Sequence, residues 1–168
     1  MIKNIIALEL DQAYSDSNNL RQISEHVIDF NEKLQAEIND LRDTFENVPR
    51  CVGLAAPQIG LFKRIIIINQ LRSTEDKNHI IAINPEIIEE KGEFEGFLER
   101  CISIPGFKGF VNRQVQARIK YQDICGGKHF IEAEGFLARI FLHEIDHLNG
   151  VLFIDSVDKD TELVQFTL

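Results

Sequence analysis

The sequence predicts an α+β fold. Three observations carry that expectation. Apolar, β-branched runs recur through the middle of the chain, two longer stretches have helical periodicity, and no repeat or linker divides the 168 residues. That length suits one compact unit with its own hydrophobic core, so residues 1–168 are read as a single domain.

Residues 1–10 read as an N-terminal strand or arm. In ISEHVIDFNEKLQAEINDLRDTFEN, Phe30, Leu34, Ile38, Leu41 and Phe45 fall on one face of an amphipathic helix. Asp29, with Glu32 three residues later, reads as its capping box. The glycine-bounded segment GLAAPQIG follows at 53–60, and FKRIIIIN then reads as a buried strand. HIIAINPEIIEE reads as a strand broken at Pro85. Residues 92–109, with four glycines and a proline, read as a loop. VQARIKYQD alternates as a strand, and CGGKHFIEAEG turns back into another. Gly135 to Leu148 reads as a second helix, stopped near Gly150. VLFIDSV reads as a last short strand. The tail VDKDTELVQFTL reads as a short helix, a strand or a disordered end.

Composition narrows the function classes. With 44% hydrophobic and 27% charged residues the chain has the make-up of a soluble globular protein. No apolar run is long enough to span a membrane, and the apolar patch in MIKNIIALELDQ has no small-residue cleavage site, so the expected location is the cytoplasm. A net charge of −9 without a basic cluster argues against DNA as a partner. Cysteines at 51, 101 and 125 are odd in number and widely spaced, which argues against a disulfide framework.

The stretch that carries chemistry is FLHEIDHLNG, residues 141–150. A helix advances about 100° per residue, so His143 and His147 project from one face roughly a turn apart and can share one ion. Glu144 lies off that line, within reach of a water at the ion without being a ligand. Phe136, Ile140 and Leu148 anchor the helix, and Asp146 is either an acceptor for an imidazole N–H or a solvated acid. A catalytic ion needs a third protein ligand and an open position. His26, His79 and His129 read as surface or loop residues. Cys101, in ERCISIPG, is the better candidate, although on spacing alone it reads equally as a buried apolar thiol.

Three stretches, taken together, resemble the signature motifs of the peptide deformylases: GLAAPQIG at 53–60, ERCISIPG at 99–106 and HEIDHLNG at 143–150. They stand in that family's order, and RIIIIN, GFKGFV and GFLARIF agree around them. The resemblance spans roughly residues 20–155. It implies one catalytic domain over 1–168, with mixed or antiparallel sheets packed around a central C-terminal helix carrying HExxH and a second amphipathic helix near the N-terminus. It implies a metal-dependent hydrolase that removes the formyl group from the N-terminal formyl-methionine of new polypeptides, with formyl-methionyl peptides as partners and the ribosome as a transient one. Cys101, His143 and His147 would hold one divalent ion, Fe(II) foremost, with Zn(II), Ni(II) or Co(II) able to replace it. Glu144 would be the general base and acid, and the Gln58 amide and the Ile102 N–H would stabilise the oxyanion. Gly53, Leu54 and Ala55, with the segment from Gly106 to Gly109, would line the cleft and bond the peptide as an added strand.

Four positions depart from the family pattern: Cys51 and Arg100 stand where glycine is usual, Leu142 where glutamine is, and Asn112 where proline is frequent. Arg100 adjoins a ligand. Either its loop accepts a non-glycine residue with the side chain in solvent, or it recharges the pocket and changes the substrate. A deformylase-like paralogue with altered substrate and a non-catalytic metal- or peptide-binding module are the alternatives. An HExxH protease is disfavoured, because no further helical ligand follows His147 closely.

Overall fold

The computed structural model describes residues 1–70 and 79–167. Among the described residues there are three α-helices, α1 (Leu10–Tyr14), α2 (Glu32–Asn47) and α3 (Phe136–Leu148). The strands are β1 (Gly53–Ala55), β2 (Ile65–Asn69), β3 (His79–Arg100), β4 (Phe107–Gln122), β5 (Lys128–Glu134) and β6 (Val164–Gln165). The sheet runs β1-β2-β3-β4-β5 with every pairing antiparallel, and β6 joins the start of β4.

β2 explains why helices cover both faces of the sheet. Ile65, Ile66, Ile67 and Ile68 are all fully buried, and successive side chains of a strand point to opposite faces. Ile66 and Ile68 pack with Ile140, Phe141, Ile145 and Leu148 of α3. Ile65 and Ile67 pack with Leu34, Ile38, Leu41 and Phe45 of α2. A strand covered by a helix on each face has no polar side, hence the unbroken run of isoleucines. Burying each such side chain contributes about 1.5–3 kcal/mol. α2 presents its predicted apolar face. Its cap is Asn31, whose side chain accepts from Leu34 N at 3.1 Å, not Asp29 with Glu32; Phe30 precedes the helix.

Three sequence expectations are corrected in the strands. β3 does not break at Pro85. The ladder shifts register between Ile83 and Glu86, and that irregularity absorbs the missing N–H. Asn84, at φ 50°, is fixed there by Val27 N to its Oδ1 and by its Nδ2 to Val27 O and Gln122 Oε1, each 2.8 Å. The loop expected over 92–109 shrinks to 101–106, because β3 and β4 run on as a long hairpin. Gly96 lies inside that hairpin, where a Cβ would come within 2.0 Å of the Phe110 ring. VLFIDSV forms a 3-10 turn at Phe153–Ser156, and Val157 then bridges to Val111. Asp155 closes that turn by accepting from Leu152 N at 2.9 Å.

Residues 1–9 form an extended arm without strand pairing. Ile6 N donates to Gln58 O and Leu8 N to Ser103 O, each at 2.8 Å, so the arm clamps two segments that reach the site. The tail takes the strand option as β6, with Leu168 outside the described residues. Among the described residues, no helix is long and apolar enough to cross a membrane.

Candidate active site

α3 begins after Gly135 (φ 55°) and is halted at Gly150, whose φ of +74° and closeness to the Arg21 carbonyl, 2.2 Å from where a Cβ would sit, admit only glycine. On this helix the rings of His143 and His147 lie 5.1 Å apart. Cys101 follows β3 directly, and its Sγ lies 3.2 Å from His147 Nε2. One donor atom from each of Cys101, His143 and His147 falls within 4.8 Å of the others. Burial opposes ionisation of the Cys101 thiol, but His147 and His143 outweigh it and hold the thiol well below its usual range. A thiolate beside two imidazoles is a donor set for a soft or borderline divalent ion.

Glu99 orients the first histidine. His143 Nδ1 donates to Glu99 Oε2 at 3.0 Å, which leaves Nε2 to face the cleft. Glu99 Oε1 also accepts from Arg113 Nε and Arg139 Nη1, each at 2.7 Å, and Arg113 Nη1 continues to Asp146 at 2.8 Å. Asp146 is therefore tied to Arg113, neither an acceptor for imidazole nor a freely solvated acid. Burial pushes the Glu99 carboxyl up, but His143 and Arg113 hold it far below the carboxylate range. Sequence reading missed Glu99, Arg113, Arg139 and Ser103. Strand alternation supplied a signal for Glu99, two residues before Cys101, and helical spacing supplied one for Arg139, four before His143.

Glu144 is 4% exposed, and burial pushes its carboxyl up to about 7 against the pull of His143 and His147. Its Oε2 is buried without a protein partner. Gly53 makes room for it, since a Cβ there would sit 2.4 Å from Glu144 Oε1. Gln58, 2% exposed, is held at both ends: Oε1 accepts from Ala55 N at 2.9 Å, and Nε2 donates to Ser103 Oγ at 3.1 Å and toward Cys101 Sγ at 3.4 Å.

These groups converge on a cleft of about 930 Å³. Gln58, Cys101, Ile102, His143 and Glu144 line it with Gly53 and Gly106, and His147 lies behind them. Leu54 and Ala55 do not line it; both are fully buried, Leu54 against α2 and Ala55 against α3. Gly109 lies under Val157, outside the lining. The edge expected to take a peptide at Gly106–Gly109 is already used in part, because Gly106 O accepts from Phe166 N and Phe107 and Lys108 pair with β6.

Of the departures, Cys51 lines the cleft and its Sγ donates to Gly53 O at 3.0 Å, whereas Leu142 is buried behind α3. Asn112 Nδ2 donates to Asp158 Oδ2 at 2.6 Å. Arg100 ends β3 at the cleft mouth, exposed and without left-handed backbone, so it carries no glycine-type strain. His79 is not a surface residue; its side chain is 10% exposed and its ring meets Phe45 edge-on at 4.9 Å.

Residues 12–162 match the family model described as polypeptide deformylase. The chain is 43% identical over 141 residues to the peptide deformylase of Heliobacterium modesticaldum, covering 84% of this chain and 89% of that protein. It is 40% identical over 143 residues to peptide deformylase 1 of Clostridium perfringens, covering 84% and 93% respectively. The crystal structure of a peptide deformylase from Legionella pneumophila superposes with a TM-score of 0.82 at 39% identity, over 95% of this chain and 88% of that one. The Thermotoga maritima peptide deformylase superposes with a TM-score of 0.82 at 33% identity, over 94% and 99%.

Proposed function

The chain belongs to the peptide deformylase family, and from that premise we propose how its residues carry out deformylation. It is a metal-dependent hydrolase, removing the formyl group from N-formyl-methionyl peptides. Cys101, His143 and His147 hold one divalent cation. Fe(II) is our first choice and Zn(II), Ni(II) or Co(II) are replacements, because a thiolate with two imidazoles accommodates all four. When bound, the ion supplies Lewis acidity and a nucleophile potent at neutral pH.

The chain's own groups do the rest. Glu144, with a carboxyl near 7, takes a proton from the attacking water at a carboxylate oxygen and returns it to the leaving amine. The Gln58 Nε2 and the Ile102 N–H donate to the oxygen of the formyl carbonyl as negative charge gathers there. Ala55 N and Ser103 Oγ fix the Gln58 amide, so its second N–H has only to exchange the 3.4 Å contact with Cys101 Sγ for the substrate oxygen. Glu99, held by two guanidinium groups, keeps His143 in one orientation. The peptide lies along β1 at Gly53, where the absence of a side chain brings backbone against Glu144. Residues 1–168 act as one catalytic domain in the cytoplasm, meeting nascent chains at the ribosome.

The observation that carries this reading is the convergence of a buried, partnerless Glu144 oxygen with the Cys101–His143–His147 donor set in one cleft. The test is formate release from formyl-Met-Ala-Ser by protein purified anaerobically with Fe(II) or Ni(II). Glu144→Gln should lower kcat by about 10²–10⁴-fold while one metal per chain is retained. Normal turnover by that variant would remove Glu144 from the mechanism.

A further inference from the structure

Among the described residues, the cleft lining carries solvent-facing charge of one sign. Its lining holds two carboxylates, Glu99 and Glu144, which are 5% and 4% exposed, and Glu99 is fully engaged by Arg113, Arg139 and His143. The accessible charges are Arg50, Arg100 and Lys108. Among the described residues, none of these three has an ion pair. In a chain of net charge −9 with more acidic than basic residues, three unpaired cations and no exposed acid among the described lining residues is an inversion of the overall composition.

The register sharpens the point. Arg100 and Lys108 are direct cross-strand partners where β3 ends and β4 begins, so both side chains leave the same face of the hairpin. Like charges placed directly opposite destabilise a ladder, and an anion between them relieves that. Lys108 also lies 5.7 Å from the Phe166 ring, which places it beside the tail strand at the cleft mouth. Arg50 comes from a different segment, the connection between α2 and β1, where it holds a left-handed backbone (φ 59°) that directs the chain into Gly53. Cations from two separate walls therefore border the path leading away from Glu144.

We propose that this cleft selects formyl-methionyl peptides with aspartate or glutamate in the residues immediately after the methionine, and that Arg50, Arg100 and Lys108 are the specificity-determining residues. The proposal rests on the deformylase reading above and names its substrate class. A peptide whose formyl group is at Glu144 extends about 3.3 Å per residue, so its second and third residues run out of the cleft that these side chains line. Exposed pairs contribute little each, so the selectivity is a matter of several-fold, not of orders of magnitude. It acts through binding, before the chemical step, and so appears in KM rather than kcat.

The experiment compares formyl-Met-Glu-Glu, formyl-Met-Ala-Ala and formyl-Met-Lys-Lys, each amidated at the C-terminus so that no terminal carboxylate competes, on the metal-loaded enzyme. The acidic peptide should exceed the neutral one about three- to tenfold in kcat/KM, through KM. The lysine peptide should fall below both. The spread should contract as salt rises from about 0.05 to about 0.5 M, because exposed charges are screened over a few ångströms at high salt. In the Arg100→Gln/Lys108→Gln variant the acidic-to-neutral ratio should fall toward one, whatever happens to the absolute rate. Equal kcat/KM for the three peptides, a preference for lysine, or a ratio unchanged in the variant would overturn the proposal and leave deformylation intact. No formate from any of the three would instead remove the deformylase reading, and this proposal with it.

Discussion

Cys51 stands at the entrance to β1, two residues before Gly53, and its Sγ donates to the Gly53 carbonyl. Burial, the neighbouring Glu144 carboxyl and Cys101 together push its thiol up to about 12. At pH 8 a thiol with that pKa is ionised to roughly one part in 10⁴, and the thiolate is the reactive form. Iodoacetamide at pH 8 should therefore alkylate exposed Cys125 and leave Cys51 of the metal-loaded protein unmodified, as read by peptide mapping. Equal labelling of the two would contradict the environment described. The sign of the pH effect follows. Above the ordinary thiol value of 9.0 the unfolded chain ionises this group while the native chain does not, so stability falls as pH rises from about 9 toward about 12. At pH 10 the loss is about 1 kcal/mol, and Cys51→Ala should abolish it in urea unfolding. Gly53 itself shows how tightly this corner is drawn: the backbone of β1 and the Glu144 carboxylate share a space that leaves no room for a methyl group.

Individual elements differ in how far the sequence reveals them. α2 and α3 are legible because an apolar stripe at helical spacing has one structural meaning, and β2 because four consecutive isoleucines need a helix on each side. The long β3–β4 hairpin is not legible, because its glycines and Pro85 have the composition of loops. In the structure Gly96 gives way to the Phe110 ring across the ladder, and Pro85 sits at a register shift held by Asn84. Of the candidate donors, His143 and His147 were readable from helical spacing, and Cys101 only through the resemblance of the three motifs. Glu99 and Arg139 each left a local signal, but their convergence with Arg113 was not readable, since it joins two strands and a helix that only the fold brings together. The cap of α2 is the correction most open to test. Asp29 and Asn31 are both good cap residues, but it is Asn31, at extended backbone, whose side chain accepts from Leu34 N. Asn31→Ala should cost about 1 kcal/mol of stability and Asp29→Ala a few tenths at most. For a chain of this size 1 kcal/mol corresponds to about 2–4 °C in Tm. The reverse order would restore the capping box.

At the scale of the whole molecule, the donor set lies where separately packed regions meet. Cys101 belongs to the apolar cluster of Leu20, Ile104, Val111 and Phe153 beneath the arm and the 3-10 turn. His143 and His147 belong to α3, whose apolar face packs on the sheet. Cys101 and His147 are 46 residues apart in sequence, so an ion bound between them ties the end of the β3–β4 hairpin to the central helix. Binding to the native state alone stabilises it by about 2.7 kcal/mol when free metal is about 100 times Kd. With about 2–4 °C per kcal/mol, removing the metal should lower Tm by about 5–10 °C. The measurement is thermal unfolding under anaerobic conditions before and after chelation, with metal content followed in parallel. Cys101→Ala separates the site from unspecific effects of the chelator: lacking one donor, it should start at a lower Tm and shift little on chelation. If the wild-type protein loses its ion with no change in Tm, the three donors do not act as a tie between hairpin and helix, and the junction is held by the Glu99–Arg113–Arg139 network and the apolar packing around it.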